Sequence, residues 1–359
     1  MCEQKTSVSS TETGEIMNDK SLECLKAYDM QVKKMIKGRG GVILFTDAGC
    51  RLFLECTRND GFYYRDEAVT NAVCKAGFES VDTYIRNKDG GLFTIGDDGR
   101  KYVVKNWFGG RECDVKSVDD VTEAVRTLAR LHICLNVVSS KGIKYVRDDA
   151  GQNIYVKFDK GTGIRQNFDR HTKEIKKAAN YMRGKKKKNE FEQIALAAID
   201  GFYREALAAS ELVQSEMFDK RFDRMEQTNE LIHGSYNYHN IFLDVGSGDD
   251  AVTNFEKCHN DCQVVDLYQF LRKVMEKHDW DINVAYRLVD EYDRCKPLDD
   301  TDLELLVALL SFPEKFWKII NQYYNAGKAW VPAKNIDKLK TVIAQNRHRR
   351  ELIDKMCGL

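Results

Sequence analysis

The segment that decides the fold is Leu231-Ile232-His233-Gly234-Ser235-Tyr236-Asn237-Tyr238-His239-Asn240-Ile241-Phe242-Leu243. It begins with two apolar residues and ends with three, and polar residues predominate between them. Short apolar runs bounded by turn-forming residues are consistent with buried strands. The segment therefore predicts two short strands joined by a polar loop that starts at a His-Gly pair and ends at an asparagine.

The spacing of His, Gly and Asn in this loop is similar to that of a phosphotransferase catalytic loop. In that loop an Asp follows the His-Gly pair, where it orients the acceptor hydroxyl and accepts its proton, and the Asn binds a metal ion. Asn240 is in place, but Ser235 occupies the position of the catalytic Asp. A serine hydroxyl is not basic near pH 7 and carries no charge, so the usual chemistry is in doubt. His233 is predicted to be a structural hydrogen-bonding residue.

A second polar segment, Val252-Thr253-Asn254-Phe255-Glu256, follows the predicted hairpin at the place where phosphotransferases carry an Asp ligand for Mg²⁺. Asn254 stands at that position, and its amide oxygen offers neither charge nor bidentate geometry. Glu256, two residues further on, is the nearest substitute. Asn240, Asn254 and Glu256 are therefore the candidate metal ligands. Asp266 is predicted to cap the next helix and to brace the loop from behind.

The phosphate-binding Lys of such enzymes should end the second strand of the first hairpin, and Glu55 is predicted to stand there. This change reverses a charge. Two unit charges about 4 Å apart near a protein surface interact by roughly 4 kcal/mol, so a carboxylate at this place would repel a triphosphate. A different register remains open, in which one of the other lysines of this region, Lys75, Lys101 or Lys105, has the role.

The composition is that of a soluble globular protein. The chain has 359 residues and a formal net charge of zero, with 43% hydrophobic and 31% charged residues. These values give no indication of nucleic-acid or membrane partners, and no apolar run approaches the length of a membrane span. Residues 1–19 show no signal-peptide pattern and are predicted to be disordered. The eleven cysteines are predicted to be reduced thiols; Cys258, His259 and Cys262 are a weak zinc alternative that lacks a second ligand pair.

The order of predicted elements is that of a two-lobe, kinase-like α+β fold. A helix is predicted over residues 20–37, followed by a hairpin with its turn at Asp47-Ala48-Gly49. The remaining predicted elements of the small lobe (residues 20–106) are a helix over Tyr64–Ala76 and strands over Asp82–Arg86, Leu92–Ile95 and Lys101–Asn106. Helices dominate the large lobe (residues 107–359), around a hairpin at 231–265. The predicted helices are Val121–Leu135, Phe168–Tyr181, Glu190–Leu212, Asp266–Lys277, Asn283–Cys295 and Thr301–Leu310, and the hairpin strands are Ile241–Val245 and Ala251–Phe255.

Several segments together resemble the CotS-type spore-coat proteins, which are similar in fold to aminoglycoside and choline phosphotransferases. The resemblance covers about residues 30–356 and rests most on the segments 102–113, 128–132, 233–240, 265–273, 312–317 and 323–332. It implies a kinase-like protein that is made in the cytoplasm during sporulation and deposited on the spore coat. It also implies that Asn106 and Trp107, at the junction of the lobes, lie where a nucleotide would bind.

Three functional hypotheses follow. The favoured one is a catalytically degenerate pseudokinase that acts as a scaffold through contacts with other spore-coat proteins and needs no cofactor. The second is a phosphotransferase with a modified site, which would use ATP and Mg²⁺ on a small-molecule acceptor. The third is a nucleotide-sensing module that binds without hydrolysis.

Overall fold

The computed structural model describes residues 23–38, 40–158, 163–246, 250–326 and 333–358. The predicted disordered segment 1–19 lies outside these residues. The chain divides into two compact units. The N-terminal unit comprises residues 1–70, 81–109 and 145–155, and the C-terminal unit comprises 71–80, 110–144 and 156–359.

The described residues contain thirteen short strands and ten α-helices. The strands are β1 (Val32–Lys37), β2 (Val42–Thr46), β3 (Gly49–Glu55), β4 (Tyr84–Ile85), β5 (Thr94–Ile95), β6 (Lys101–Asn106), β7 (Arg111–Glu112), β8 (Tyr145–Arg147), β9 (Asn153–Tyr155), β10 (Leu231–Ile232), β11 (Ile241–Leu243), β12 (Ala251–Val252) and β13 (His259–Asn260). The helices are α1 (Asp60–Lys75), α2 (Val118–Lys141), α3 (Ile164–Gly184), α4 (Glu190–Gln214), α5 (Asp219–Thr228), α6 (Gln263–Met275), α7 (Ile282–Cys295), α8 (Asp300–Ser311), α9 (Glu314–Ala326) and α10 (Ala333–Met356).

The N-terminal unit is built on an antiparallel sheet in the order β1-β2-β3-β6-β4, with β5 also paired to β6. The two faces of the sheet carry different clusters because side chains alternate along a strand. Phe53 packs on one face, where its ring stacks on that of Tyr102 at 5.0 Å. Leu54 packs on the other face, against Tyr63 and Tyr64 of α1. The predicted small antiparallel sheet with one helix is confirmed.

The predicted helix over residues 20–37 is wrong. The structure has a 3₁₀ helix at Glu23–Ala27, and β1 then pairs antiparallel with β2 from Val32 opposite Thr46 to Lys37 opposite Val42. Most of β1 is exposed, as expected of an edge strand rich in lysine. Its pattern of apolar residues and lysines has no clean period, so pairing with β2 decides its conformation rather than local sequence.

The C-terminal unit is mainly helical, as predicted, and its helices are set by recognisable caps. The Ser117 side chain accepts a hydrogen bond from the Asp120 backbone, so α2 begins at Val118. Asn189 and Glu192 form a reciprocal capping box at the start of α4. Stacked rings join helices to neighbouring segments, with centroids 4.1 Å apart for Phe168 and Phe312 and 3.9 Å apart for Phe202 and Phe316. No helix of the described residues is long and apolar enough to span a membrane.

Candidate functional site

The loop that follows β10 in the C-terminal unit is held by His233. Its Nδ1 accepts a hydrogen bond from the Ser235 backbone at 3.2 Å, and its Nε2 donates to the Thr253 carbonyl at 3.1 Å. These two contacts require the tautomer with its proton on Nε2. The imidazole is fully buried. It therefore joins the start of the loop to the end of β12, and these are contacts that the predicted structural role of His233 requires.

Gly234 is required by the backbone of this loop. Its φ is +74°, and a Cβ there would lie 2.1 Å from the Lys257 carbonyl oxygen. Both the left-handed conformation and the close approach favour glycine. The loop is also anchored further on, since the buried Tyr236 hydroxyl donates to the Ala124 carbonyl of α2 at 2.6 Å.

Asp266 braces the loop from α6. Its carboxylate accepts hydrogen bonds from the backbone N–H groups of His233, at 2.6 Å, and Gly234, at 3.0 Å. These are the contacts that the predicted bracing requires. The predicted cap is wrong, because α6 begins at Gln263 after Cys262, which places Asp266 inside the first turns of the helix. The buried Asp266 carboxylate accepts hydrogen bonds from the loop rather than from the N-terminus of its own helix.

A buried histidine supports Asp266 from behind. His132 Nε2 lies 3.3 Å from the Asp266 carboxylate, and His132 Nδ1 lies 2.7 Å from the Tyr292 hydroxyl. Burial lowers the pKa of His132, so we assign a neutral imidazole that donates to Asp266 and accepts from Tyr292. Burial alone would raise the pKa of Asp266, but the hydrogen bonds from His132 and from the loop keep that pKa below its usual value.

Ser235 occupies the tip of this braced loop without a polar partner for its hydroxyl among the described residues. Its backbone carbonyl accepts hydrogen bonds from the side-chain amides of Asn237, at 2.7 Å, and Asn240, at 2.9 Å. The residue also lines a cavity of about 280 Å³ in the C-terminal unit. Hydrogen bonds therefore fix the backbone of the loop. Ser235, at the position where a phosphotransferase carries its catalytic carboxylate, has an uncharged side chain.

The predicted metal ligands lie on or next to one hairpin. Ile241 of β11 pairs with Val252 of β12, and the Thr253 backbone donates to the Asn240 carbonyl at 2.9 Å. This pairing brings Asn240 and Asn254 to the same end of the hairpin. β12 is shorter than predicted because Asn254 adopts a left-handed conformation, with φ of 70°, and ends the strand. Glu256 follows on an exposed 3₁₀ turn.

This donor set is a weak match to Mg²⁺. Protein sites for this ion use one or two carboxylates together with substrate phosphates, and the hairpin offers one exposed carboxylate and two uncharged amides. Among the described residues no group of three or more His, Cys, Asp or Glu side chains is arranged to hold a metal ion. That finding also covers Cys258 and Cys262, which are buried. Burial raises the pKa of the Cys262 thiol, which disfavours the thiolate that zinc requires.

In the N-terminal unit a buried lysine pairs with two aspartates on the side of the sheet that faces α1. The Lys105 ammonium lies 3.1 Å from Asp66 of α1 and 2.6 Å from Asp82. The Tyr84 hydroxyl donates to the same Asp66 oxygen at 2.8 Å. Burial alone would lower the pKa of Lys105, but the two carboxyl groups raise it above its usual value. Kinases pair a lysine on the third strand of the small lobe with a glutamate on a helix. In this protein the lysine that pairs with a helix carboxylate is Lys105 of β6, which lies opposite Leu52 of β3.

The other predicted residues of this unit lie on neighbouring strands. Glu55 ends β3 on the face that carries Phe53, and its carboxylate pairs with Arg100 at 2.9 Å. The Asn106 amide donates to the Thr83 hydroxyl at 2.6 Å, and the Trp107 backbone donates to the Cys50 carbonyl at 3.1 Å. The roles of Glu55 in place of the phosphate lysine, and of Asn106 and Trp107 in nucleotide binding, stay predictions.

The comparison with protein families now identifies the chain's relatives. The family described as spore coat putative kinase YutH matches residues 23–356. The chain belongs to this YutH family. The predicted resemblance to spore-coat proteins of CotS type is thereby confirmed.

Solved structures similar to this YutH-family chain are phosphotransferases. An aminoglycoside phosphotransferase from Alicyclobacillus acidocaldarius matches with a TM-score of 0.79 and 15% identity, over 97% of this chain and 98% of that one. The AMP-bound spectinomycin phosphotransferase APH(9)-Ia gives 0.58 and 9%, over 90% and 96%. A choline kinase from Cryptosporidium parvum gives 0.52 and 12%, over 93% and 95%. At these identities the likeness establishes the kinase-like fold alone.

Two parts of the site were not recognised from the sequence. The sequence indicates Lys105 only as an alternative phosphate lysine, because its partners Asp66 and Asp82 lie 39 and 23 residues away along the chain. The alternation of β6, with Val104 in one cluster and Val103 in the other, was the available signal that Lys105 faces α1. The cavity beside Ser235 gave no local signal, since its walls come from segments far apart in sequence.

Proposed function

We propose that this YutH-family protein is a catalytically degenerate pseudokinase that acts in the spore coat by binding other molecules rather than by transferring phosphate. The observation that carries the proposal is the loop at Ser235. Its backbone is held by His233 and Asp266 as firmly as a catalytic loop requires, yet the position that should present a carboxylate presents a hydroxyl. A loop that keeps its supporting hydrogen bonds but lacks a general base supports the proposal that the fold is retained while phosphoryl transfer has been lost.

The charges of both units support the same proposal. In the C-terminal unit, Asn254 replaces the carboxylate that would bind Mg²⁺. In the N-terminal unit, Lys105 faces two carboxyl groups and has only 3% exposure, so its positive charge is matched internally rather than offered to a phosphate. Phosphoryl transfer depends on cations that neutralise the developing negative charge. Losses in three separate roles argue against ordinary transfer from ATP.

The place of action follows from the family. Because the chain belongs to a spore-coat family, we propose that it is deposited on the coat and contacts other coat proteins there. Detection of the protein in the coat fraction of purified spores is the expected result. Confinement to the spore core or to the vegetative cell would contradict this part of the proposal.

One observation favours the alternative of a small-molecule phosphotransferase. Gly234 and Ser235 of the loop line a cavity that could take an acceptor, and one of the similar structures is an enzyme bound to AMP. A chain of this kind would hold metal through Asn240 and Glu256 and would recruit a base from elsewhere. The same experiment separates the two proposals.

The test measures transfer of the γ-phosphoryl group from labelled ATP, with Mg²⁺ or Mn²⁺, to a panel of aminoglycosides, amino alcohols and sugars. We expect no product above the background without protein. The variant Ser235→Asp with Asn254→Asp restores the two missing carboxylates, and any transfer by it shows that the assay detects a competent site. Ser235→Asp alone and Ser140→Asp, at the exposed end of α2, are the matched controls.

Turnover by the unaltered protein would overturn the pseudokinase proposal. It would do so most clearly if that turnover were lost in Asn240→Ala, since the alternative assigns the metal to this side chain. If neither the unaltered nor the restored protein transfers phosphate, the pseudokinase proposal stands, because the residues that would bind the phosphates and the metal ion are also proposed to be changed.

A further inference from the structure

A cavity within the C-terminal unit has an unusual charge. It lies beside Gly234 and Ser235, and its other walls come from α3, α6 and α9. Four basic side chains, Lys257, Arg272, Lys273 and Lys318, line it against a single carboxylate. That carboxylate, Glu314, already lies 3.2 Å from Lys318 and 3.3 Å from His171. Since Arg272 also contacts Glu276, outside the wall, the cations of the wall without an ion pair among the described residues are Lys257 and Lys273.

Two polar groups in the same wall are buried without a partner. Tyr268 has 3% exposure, and its hydroxyl has no hydrogen bond within the described residues. Arg272 has 5% exposure, and while its guanidinium contacts Glu276, its Nε has no partner. Buried donors without acceptors are rare in folded proteins because each costs free energy. Two unpaired groups that line one cavity, both able to donate, point to an acceptor supplied by a ligand.

Lys273 adds an unneutralised cation. No carboxylate lies within ion-pair distance of its ammonium among the described residues. Burial, together with the neighbouring charges of Arg272 and Lys318, lowers its pKa to about 8. The site thus holds positive charges together at a cost in stability. Groups perturbed in this way by burial and like charges inside a cavity are typical of binding sites.

We propose that this cavity binds a small molecule through an anionic group, a phosphate or a carboxylate, held by Lys273, Arg272 and the Tyr268 hydroxyl. The volume of about 280 Å³ is at the lower end of the range for small-molecule sites, which favours a compact ligand. Anionic oxygens accept strong, charge-assisted hydrogen bonds from such donors. A polycation such as an aminoglycoside would be repelled by the same wall.

The inference does not depend on whether the protein transfers phosphate. Under the pseudokinase proposal, the cavity is a ligand site retained after the chemistry was lost. Under the alternative, it restricts the acceptor to anionic molecules. Binding without turnover, turnover without anion binding, and neither of the two are therefore distinguishable results.

The test measures binding to the full-length protein by titration calorimetry at constant ionic strength. The probes are sulfate, inorganic phosphate, citrate and glucose 6-phosphate, with glucose and kanamycin as the neutral and cationic comparisons. We expect saturable binding of at least one anion and none of glucose or kanamycin. Preference for glucose 6-phosphate or inorganic phosphate over citrate identifies a phosphate site, and the reverse order identifies a carboxylate site.

Matched variants decide where the anion binds. Lys273→Gln should weaken binding by about tenfold or more, as expected for loss of one hydrogen bond to a charged group. Tyr268→Phe should weaken binding severalfold while leaving thermal stability unchanged or raised, because its hydroxyl has no partner in the fold. Lys176→Gln makes the same charge change at an exposed position of α3 and should leave affinity unchanged.

Two outcomes would overturn the inference. One is the absence of saturable binding for every anion at millimolar concentration. The other is an equal loss of affinity in Lys176→Gln and Lys273→Gln, which would show general attraction to positive surface charge rather than binding in the cavity. If Lys273→Gln fails to fold, the intact fold of Tyr268→Phe still allows the test.

Discussion

Asp266 is the residue on which the geometry of the loop depends most. Replacing it by Asn keeps the size but puts an amide NH₂ where a carboxylate oxygen accepts a backbone hydrogen bond. We expect Asp266→Asn to lower the free energy of unfolding by about 2–4 kcal/mol, as for other disrupted buried polar networks. Urea unfolding measures this loss. Asp337→Asn, at an exposed position of α10, should change stability by less than about 0.5 kcal/mol.

The pH dependence of this contribution has a definite sign. The pKa of Asp266 is lower in the folded protein than in the unfolded chain. Its stabilising contribution is therefore fully present above pH ~4, near the unfolded pKa, and is lost as pH falls through the folded pKa. The stability difference between the unaltered protein and Asp266→Asn should shrink below pH ~4. A difference that stays constant or grows in acid would contradict this assignment.

Lys105 allows a second prediction at this scale, with a control on the same strand. Lys105→Met leaves the buried carboxyl groups of Asp66 and Asp82 without their cation, so we expect a loss of about 3–5 kcal/mol in urea unfolding. Lys101→Met removes an exposed pair with Asp60 and should cost at most about 1 kcal/mol. Similar losses for the two variants would show that the Lys105 cluster is not the buried network described here.

At the scale of elements, the turn from β10 into the loop depends on Gly234. Gly234→Ala adds an alanine at positive φ and a clash with the Lys257 carbonyl, whereas Gly142→Ala, after α2, adds only the strain of its backbone conformation (φ 67°, ψ 150°) because open space surrounds it. We expect about 1–3 kcal/mol for Gly142→Ala and a larger loss for Gly234→Ala, where the clash is added to the strain. Thermal unfolding of both variants compares them. Equal losses would mean that the 3₁₀ turn that carries the Lys257 carbonyl moves aside freely.

Elements also show what could be predicted from the sequence. The β2–β3 hairpin and the helices α2, α3 and α4 were predictable because turn residues and helical periodicity act locally. The strand β1 was not, because its conformation is decided by pairing with β2. The loop at His233 was recognisable by spacing alone, but its support by Asp266 needed a contact 33 residues away, which the sequence suggested only through the position of Asp266 at the predicted start of a helix.

At the scale of the whole molecule, the chain has a kinase-like fold, and we propose that the charges that would serve Mg²⁺ and triphosphate are changed. Residue spacing was enough to predict the fold, whereas the roles assigned to Glu55, Ser235 and Asn254 stay predictions. It did not reveal the cationic cavity, because Lys257, Lys273 and Lys318 come together only when distant helices pack. The composition does not reveal this local positive charge, because the net charge of the whole chain is zero.

The most direct test of the central claim, that the protein no longer has a specific site for Mg·ATP, compares Mg·ATP with Mg·tripolyphosphate in thermal unfolding of the full-length protein. A nucleotide present well above its dissociation constant should stabilise the folded state by roughly 3 kcal/mol or more. We predict equal shifts for the two ligands at equal concentration, because any effect comes from the anionic phosphates alone. A clearly larger shift with Mg·ATP would show a specific nucleotide site and would contradict the claim.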